Sequence, residues 1–168
     1  MSAQKSLVAK PQSSSLRVLL RLPIAMYRLK LGWLLGGRFV LLEHIGRKSG
    51  AVRKTVVEVV GHEKASDTYY IVSGWGKKAN WYQNLLAAPN IAIQVGKRRL
   101  NVCAETLSPA EGTRIVLDYR RKHPLAAREL SRLMGMKLYD KTPEELEEIV
   151  QTSLPVVALR PRTGPTNY

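Results

Sequence analysis

Arg38-Phe39-Val40-Leu41-Leu42-Glu43-His44-Ile45, then Gly46-Arg47-Lys48-Ser49-Gly50, then Arg53 onward to Gly61: this stretch decides the fold. Its flanks are rich in β-branched and apolar residues, and its middle is a basic turn bracketed by glycines, the pattern of two strands joined by a turn. Working outward, residues 68–73 read as a third strand. Asn90–Val95 and Arg98–Thr106 read as a pair joined at Gly96-Lys97, and residues 154–160 as a last strand. Residues 80–88 read as a helix, with Asn80 placed to cap it, Gln83 three residues on, and Pro89 after its end. Ser108-Pro109-Ala110-Glu111 is a capping box with proline at the first helical position, and starts a helix running to about Lys122. His123-Pro124 breaks it, and a shorter helix follows over residues 125–134. Thr142-Pro143-Glu144-Glu145 repeats the start signal for a helix ending near Thr152. Five or six strands, mostly antiparallel and split by a few helices, make an α+β domain around a small barrel.

The 168 residues suffice to bury one core without disulfides or a structural metal. Residues 1–15 are polar and Ser-rich and are expected to be a disordered tail. Residues 16–35 are expected to form an amphipathic helix, and residues 36–162 the barrel domain. Lys and Arg number 27 against 13 Asp and Glu, for a net charge of +14. The excess is uneven: residues 1–54 hold eleven bases and a single acid, Glu43. Such polarity calls for an anionic partner. Arg17, Arg21 and Arg28 fall within about 40° on a helical wheel, a stripe suited to the interface of a membrane. No apolar stretch reaches the roughly 18 residues a membrane-spanning helix needs, so the expected location is the cytoplasm, with a peripheral contact on the inner face of the membrane. Cys103 is the only cysteine, and His44, His62 and His123 have no ligand-type spacing, so no metal site is expected.

The chemistry-bearing residues lie in two loops. Glycine lets backbone N–H groups approach a ligand, and a helix start adds partial positive charge. Gly74-Trp75-Gly76-Lys77-Lys78 ahead of Asn80 combines both with two ammonium groups. Arg47, Lys48 and Arg53 offer a second anion site, with the Ser49 hydroxyl as a further donor. Trp75, Trp81 and Tyr82 supply faces for a planar ring. Trp81 shares a helix face with Leu85 and Ala88 and is expected to pack in the core, whereas Tyr82 and Asn84 point elsewhere. There is no paired-carboxylate arrangement, no Cys/His pair and no nucleophile elbow, so if the chain is an enzyme, a cofactor is expected to carry the reactive atom.

These residues resemble the deazaflavin-dependent nitroreductase family of the flavin/deazaflavin split-barrel superfamily. The matching sections run from Pro23 through Tyr27-Arg28, Gly32, Gly36-Gly37-Arg38, the Gly46-Arg47-Lys48-Ser49-Gly50 turn and Arg53. They continue through Ser73-Gly74, Trp81-Tyr82-Gln83-Asn84-Leu85, Ala88-Pro89 and Pro155-Val156, covering nearly the whole folded region. The resemblance implies a split β-barrel that binds reduced coenzyme F420 and passes hydride to an electron-poor acceptor, a quinone or a nitro compound. It implies that Arg47, Lys48, Ser49, Gly50 and Arg53 hold the phosphate and acidic tail, assisted by Lys77 and Lys78. It implies that Val72, Ser73, Gly74, Trp81, Tyr82 and Asn84 frame the deazaflavin ring, with Trp75 and Gly76 in the same loop. Ser73 and Tyr139 are the expected catalytic residues: a hydroxyl at either position would steady the acceptor. Split-barrel relatives often form homodimers.

The chain departs from the family's pattern in three places. Lys54-Thr55-Val56 stands where Thr-Pro is common. The loop after Ser73 is short and lacks a proline before Trp81-Tyr82. Only Tyr139, with Tyr119 earlier, stands where tyrosines shape the acceptor pocket. These differences favour a quinone or another lipophilic acceptor. Two other readings stay open at the level of sequence. One is a non-catalytic or differently specific split-barrel protein that binds FMN, haem or F420 for carriage or storage. The other is a nucleic-acid-binding module, which Lys97-Arg98-Arg99 and Arg120-Arg121-Lys122 suggest but which lacks aromatics alternating with bases along the strands.

Overall fold

The structure, a computed structural model, describes residues 36–162; the expected tail and N-terminal helix lie outside the described residues. Six strands alternate with four helices: β1 (Phe39–Ile45), β2 (Val52–Glu63), β3 (Thr68–Val72), α1 (Asn80–Ala87), β4 (Asn90–Val95), β5 (Arg98–Thr106), α2 (Pro109–Lys122), α3 (Pro124–Leu133), α4 (Pro143–Thr152) and β6 (Val156–Pro161). The strands close into a barrel in the order β1-β2-β3-β6-β5-β4. Every neighbouring pair is antiparallel, where the sequence led us to expect mostly so.

Period-two alternation sends Val40 and Leu42 of β1, Ile91, Ile93 and Val95 of β4, and Val157 and Leu159 of β6 into the barrel. α1 plugs its mouth with Trp81, Tyr82 and Leu85. A second apolar cluster lies outside the sheet, where Val60, Val72 and Val156 meet Val116, Met134, Leu146 and Val150 of the helical layer. α2 reaches this position because Gly112 carries no side chain: a Cβ there would lie 2.9 Å from Val150 Cγ1 and 3.0 Å from Val156 Cγ2.

Local signals in the sequence reappear as hydrogen bonds. At α2, Glu111 N–H donates to Ser108 Oγ and Ser108 N–H to Glu111 Oε2. Thr142 and Glu145 repeat the exchange at α4. The cap expected from Asn80 is corrected: Ala79 occupies the cap with no side-chain bond, and Asn80 already belongs to the helix. The chain between α3 and α4 has no regular structure and is held from the side. Arg120 Nη1 donates to the carbonyls of Leu138, Tyr139 and Lys141, and Ser131 Oγ accepts from Leu138 N–H.

Gly112→Ala should lower the free energy of unfolding by about 1–3 kcal/mol, because the methyl group enters a contact with no room to relax. A urea titration of the variant against the parent measures this through the shift in midpoint at constant slope.

Candidate active site

The β1–β2 turn is wider than a two-residue hairpin. The pairing ends at Ile45↔Val52, leaving residues 46–51 to make the connection. Gly46 N–H donates to Ala51 O and Gly50 N–H to Gly46 O, with Gly50 at φ +66°, a conformation that glycine adopts without a Cβ penalty. A Cβ at Gly46 would fall 2.7 Å from Ser49 Oγ, so a side chain there would force the Ser49 hydroxyl to turn away.

The turn and the first turn of α1 form the walls of a cleft of ≈ 1040 Å³. Arg47, Lys48, Arg53 and Lys54 all line it, and no acidic side chain does. Lys54 is engaged by Glu43, at 2.9 Å. Among the described residues neither Lys48 nor Arg53 forms an ion pair. Burial alone would raise the Glu43 carboxyl, but its bonds to Lys54 and Arg99 outweigh that and hold it below the usual carboxylate range. Glu43 is opposite Lys54 in the strand pairing and shares the sheet face of that lysine, which itself lines the cleft.

Arg47 is fixed in place. Its backbone N–H (3.1 Å) and Nη1 (3.0 Å) both donate to Asn84 Oδ1, and its guanidinium lies 3.4 Å from Asn80 Oδ1. Asn84 Nδ2 lies 3.1 Å from His44 Nδ1, and His44 Nε2 lies 3.1 Å from Thr55 Oγ1. Burial pushes the His44 imidazole down to about 4, and the Arg53 charge across the hairpin adds to the effect, so this histidine is neutral near pH 7.

Of the expected binding residues, the cleft gathers Arg47, Lys48, Ser49, Arg53, Trp81 and Asn84. Gly50 shapes the turn without lining it. Tyr82 corrects the expectation that it points away from the core: it is buried in the barrel mouth, with its hydroxyl 3.1 Å from Thr106 Oγ1. Trp81, Tyr82, Asn84 and Leu85 of α1 are all buried, so its covered face is wider than the Trp81–Leu85–Ala88 stripe the sequence suggests. The loop ahead of α1 is elsewhere. Ser73 is 0% exposed and its hydroxyl donates to Gly76 O, Gly74 sits against Met134, and Trp75, Lys77 and Lys78 are exposed but do not line the cleft. Val72 and Tyr139 line a separate, small apolar cavity between the sheet and the helices. Ser73 and Tyr139, the expected catalytic pair, are therefore not brought together, and neither faces the cleft.

Sequence reasoning missed His44, Thr55 and Gln94 as cleft residues. The strand register supplies the signal for the first two: His44 is directly opposite Arg53, and Thr55 follows two residues on, along the same face.

A planar cofactor with a polyanionic tail fits these residues, because uncompensated cations converge on a turn beside a tryptophan and the volume accommodates an extended ligand. The closed barrel of six antiparallel strands is the split-barrel fold that the sequence resemblance implies. Comparison with known proteins narrows the class. The profile of the F420H(2)-dependent quinone reductase family matches residues 19–132, and the chain belongs to that family. It is accordingly an oxidoreductase that works with coenzyme F420.

Among solved structures, an F420-H2 dependent reductase (FDR-A) is 23% identical over 73% of this chain and 94% of its own, with a TM-score of 0.49. A domain-swapped dimer is 22% identical over 82% of this chain and 99% of its own, with a TM-score of 0.50. The haem-storage protein HutZ from Vibrio cholerae is 10% identical over 82% and 90%, with a TM-score of 0.52. At such identities the last two likenesses speak for the fold alone. No curated protein matches the chain.

The buried histidine makes stability depend on pH in a definite direction. The unfolded chain takes up this proton below its ordinary value of 6.5, the folded chain only below about 4. Full stability is thus present above pH 6.5 and is lost as pH falls toward 4, by about 3 kcal/mol at 1.36 kcal/mol per unit. His44→Asn should lack this part of the slope while keeping that of the carboxylates, which urea titrations at pH 7, 5.5 and 4 will read.

Proposed function

We propose that the cleft holds reduced F420 while a quinone is reduced. The observation that carries this reading is the convergence of Arg47, Lys48 and Arg53 on one cleft with no acid in its walls. When bound, the cofactor supplies the hydride. The chain's own part is to bind and orient. Arg47, Lys48 and Arg53 meet the phosphate and carboxylates of the tail as charge-assisted partners. Ser49 Oγ accepts from Ala51 N–H at 3.4 Å, which leaves its own proton to donate to a phosphate oxygen. Trp81 lines the cleft as a largely buried residue, stacked edge to face on Tyr82 at 6.1 Å between centroids, and gives the cofactor ring an aromatic wall.

A quinone is favoured over a nitro compound as acceptor by the family's description and by the short loop after Ser73. A homodimer is part of the reading, and size-exclusion chromatography with light scattering tests it. The membrane contact expected from residues 16–35 falls outside the described residues. Among the described residues no helix is long and apolar enough to cross a membrane.

The test is a fluorescence titration with F420, with FMN as competitor, followed by oxidation of the reduced cofactor with quinones and nitro compounds in parallel. Tight F420 binding with turnover on quinones is the expected result; preference for FMN would discard the cofactor assignment at this site, and turnover on nitro compounds alone would discard the acceptor. Lys48→Ala should weaken F420 binding roughly tenfold, about 1.4 kcal/mol, and flatten its dependence on salt, because a fixed cation opposite the tail is lost. Unchanged affinity at low salt would place the tail elsewhere.

A further inference from the structure

We infer that His44 is a positioning residue that keeps Arg47 aimed into the cleft, acting through the side-chain amide of Asn84. What Arg47 binds rests on the function proposed above; the positioning itself rests on the hydrogen bonds of this chain.

The argument is a count of donors and acceptors. Arg47 presents only N–H groups to Asn84, so the atom facing it must be the amide oxygen. The amide nitrogen then faces His44 Nδ1 and can only donate, so Nδ1 must carry a lone pair. The imidazole proton is thereby placed on Nε2, where Thr55 Oγ1 accepts it. One tautomer satisfies every group in the chain Thr55–His44–Asn84–Arg47. The opposite amide orientation would set the amide nitrogen against the Arg47 N–H and guanidinium, donor against donor.

Burial makes the arrangement binding on each member. His44 is 2% exposed and Asn84 4%, so water does not stand in for a lost partner. The charged groups around the imidazole are all cationic on the cleft side: Arg53 directly opposite on β2, Arg47 from the turn, and Lys54 next along, itself paired with Glu43. No carboxylate lines the cleft to hold an imidazolium. His44, Arg47 and Thr55 belong to one hairpin while Asn84 lies 40 residues from His44 and 37 from Arg47, and Asn84 is the only side chain among the described residues that hydrogen-bonds both His44 and Arg47.

Two measurements decide the matter. In wild-type protein labelled with 15N at histidine, the His44 ring should show the Nε2–H tautomer, with Nδ1 unprotonated, and Asn84→Leu should relax that bias. This holds with or without cofactor. In binding, His44→Leu should raise the Kd for F420 roughly tenfold, the loss of one buried hydrogen-bond anchor. His44→Asn restores an acceptor near the place of Nδ1 and should recover most of the affinity. An Nδ1–H tautomer in the wild type overturns the inference, as does His44→Leu binding F420 like the parent, or His44→Asn failing as badly as His44→Leu. If wild-type protein itself does not bind F420, the proposed function fails, and the tautomer measurement alone decides the role of His44.

Discussion

Closure of the sheet is the constraint on which everything else rests. β1 pairs with both β2 and β4, and β6 with both β3 and β5, so no strand edge is left open. A closed barrel of six short strands has a fixed interior, and that interior is filled by side chains from the strands and from α1. Because Trp81, Tyr82 and Leu85 must enter the barrel mouth, the rotation of α1 about its axis is set by packing. That rotation delivers Asn84 to the β1–β2 turn and leaves Asn80 beside the Arg47 guanidinium. The cleft is thus a by-product of how the barrel is stoppered.

Charge is distributed against local comfort. On the outer face of β1, Glu43 neutralises Lys54 and Arg99. Asp67 does the same for Arg98, and Glu105 for Arg160. At the turn the pattern stops: Lys48 and Arg53 stand near Arg47 with nothing opposite. Like charges at such spacing repel, and a fold selected only for stability has no reason to keep them. Their gathering in one cleft, while Lys54, Arg98, Arg99 and Arg160 on the strands are paired with carboxylates, gives that cleft an uncompensated positive field.

What could be read from the sequence was what is written locally. Both capping boxes, the proline helix starts, the Gly96-Lys97 hairpin and the six β-branched runs depend on neighbours within a few residues, and each became the element expected. The α+β barrel followed from their order. The basic turn was legible for the same reason. Relations between segments were not. His44 and Asn84 are 40 positions apart, so nothing near either one announces a shared hydrogen bond. Tyr82 looked free because a helical wheel does not know that α1 sits in a barrel mouth. The resemblance made Ser73 an expected catalytic hydroxyl, but a motif does not show a side chain's partner, which here is the Gly76 carbonyl of its own turn. Asn80 looked like a cap because the helix starts one residue earlier than its side chain suggests.

The two apolar clusters lie on opposite sides of the sheet, one inside the barrel and one between its outer surface and α2, α3 and α4. None of those three helices contributes a residue to the cleft walls. Substitutions in separate clusters combine nearly additively when they share no partners. A lineage carrying this fold is therefore free to rebuild its helical layer, exchanging methionines, loop lengths and surface charge, without re-tuning the turn that lines the cleft. Divergence between relatives should accumulate on the helical side first, and the barrel-side turn should be the slowest part of the molecule to change.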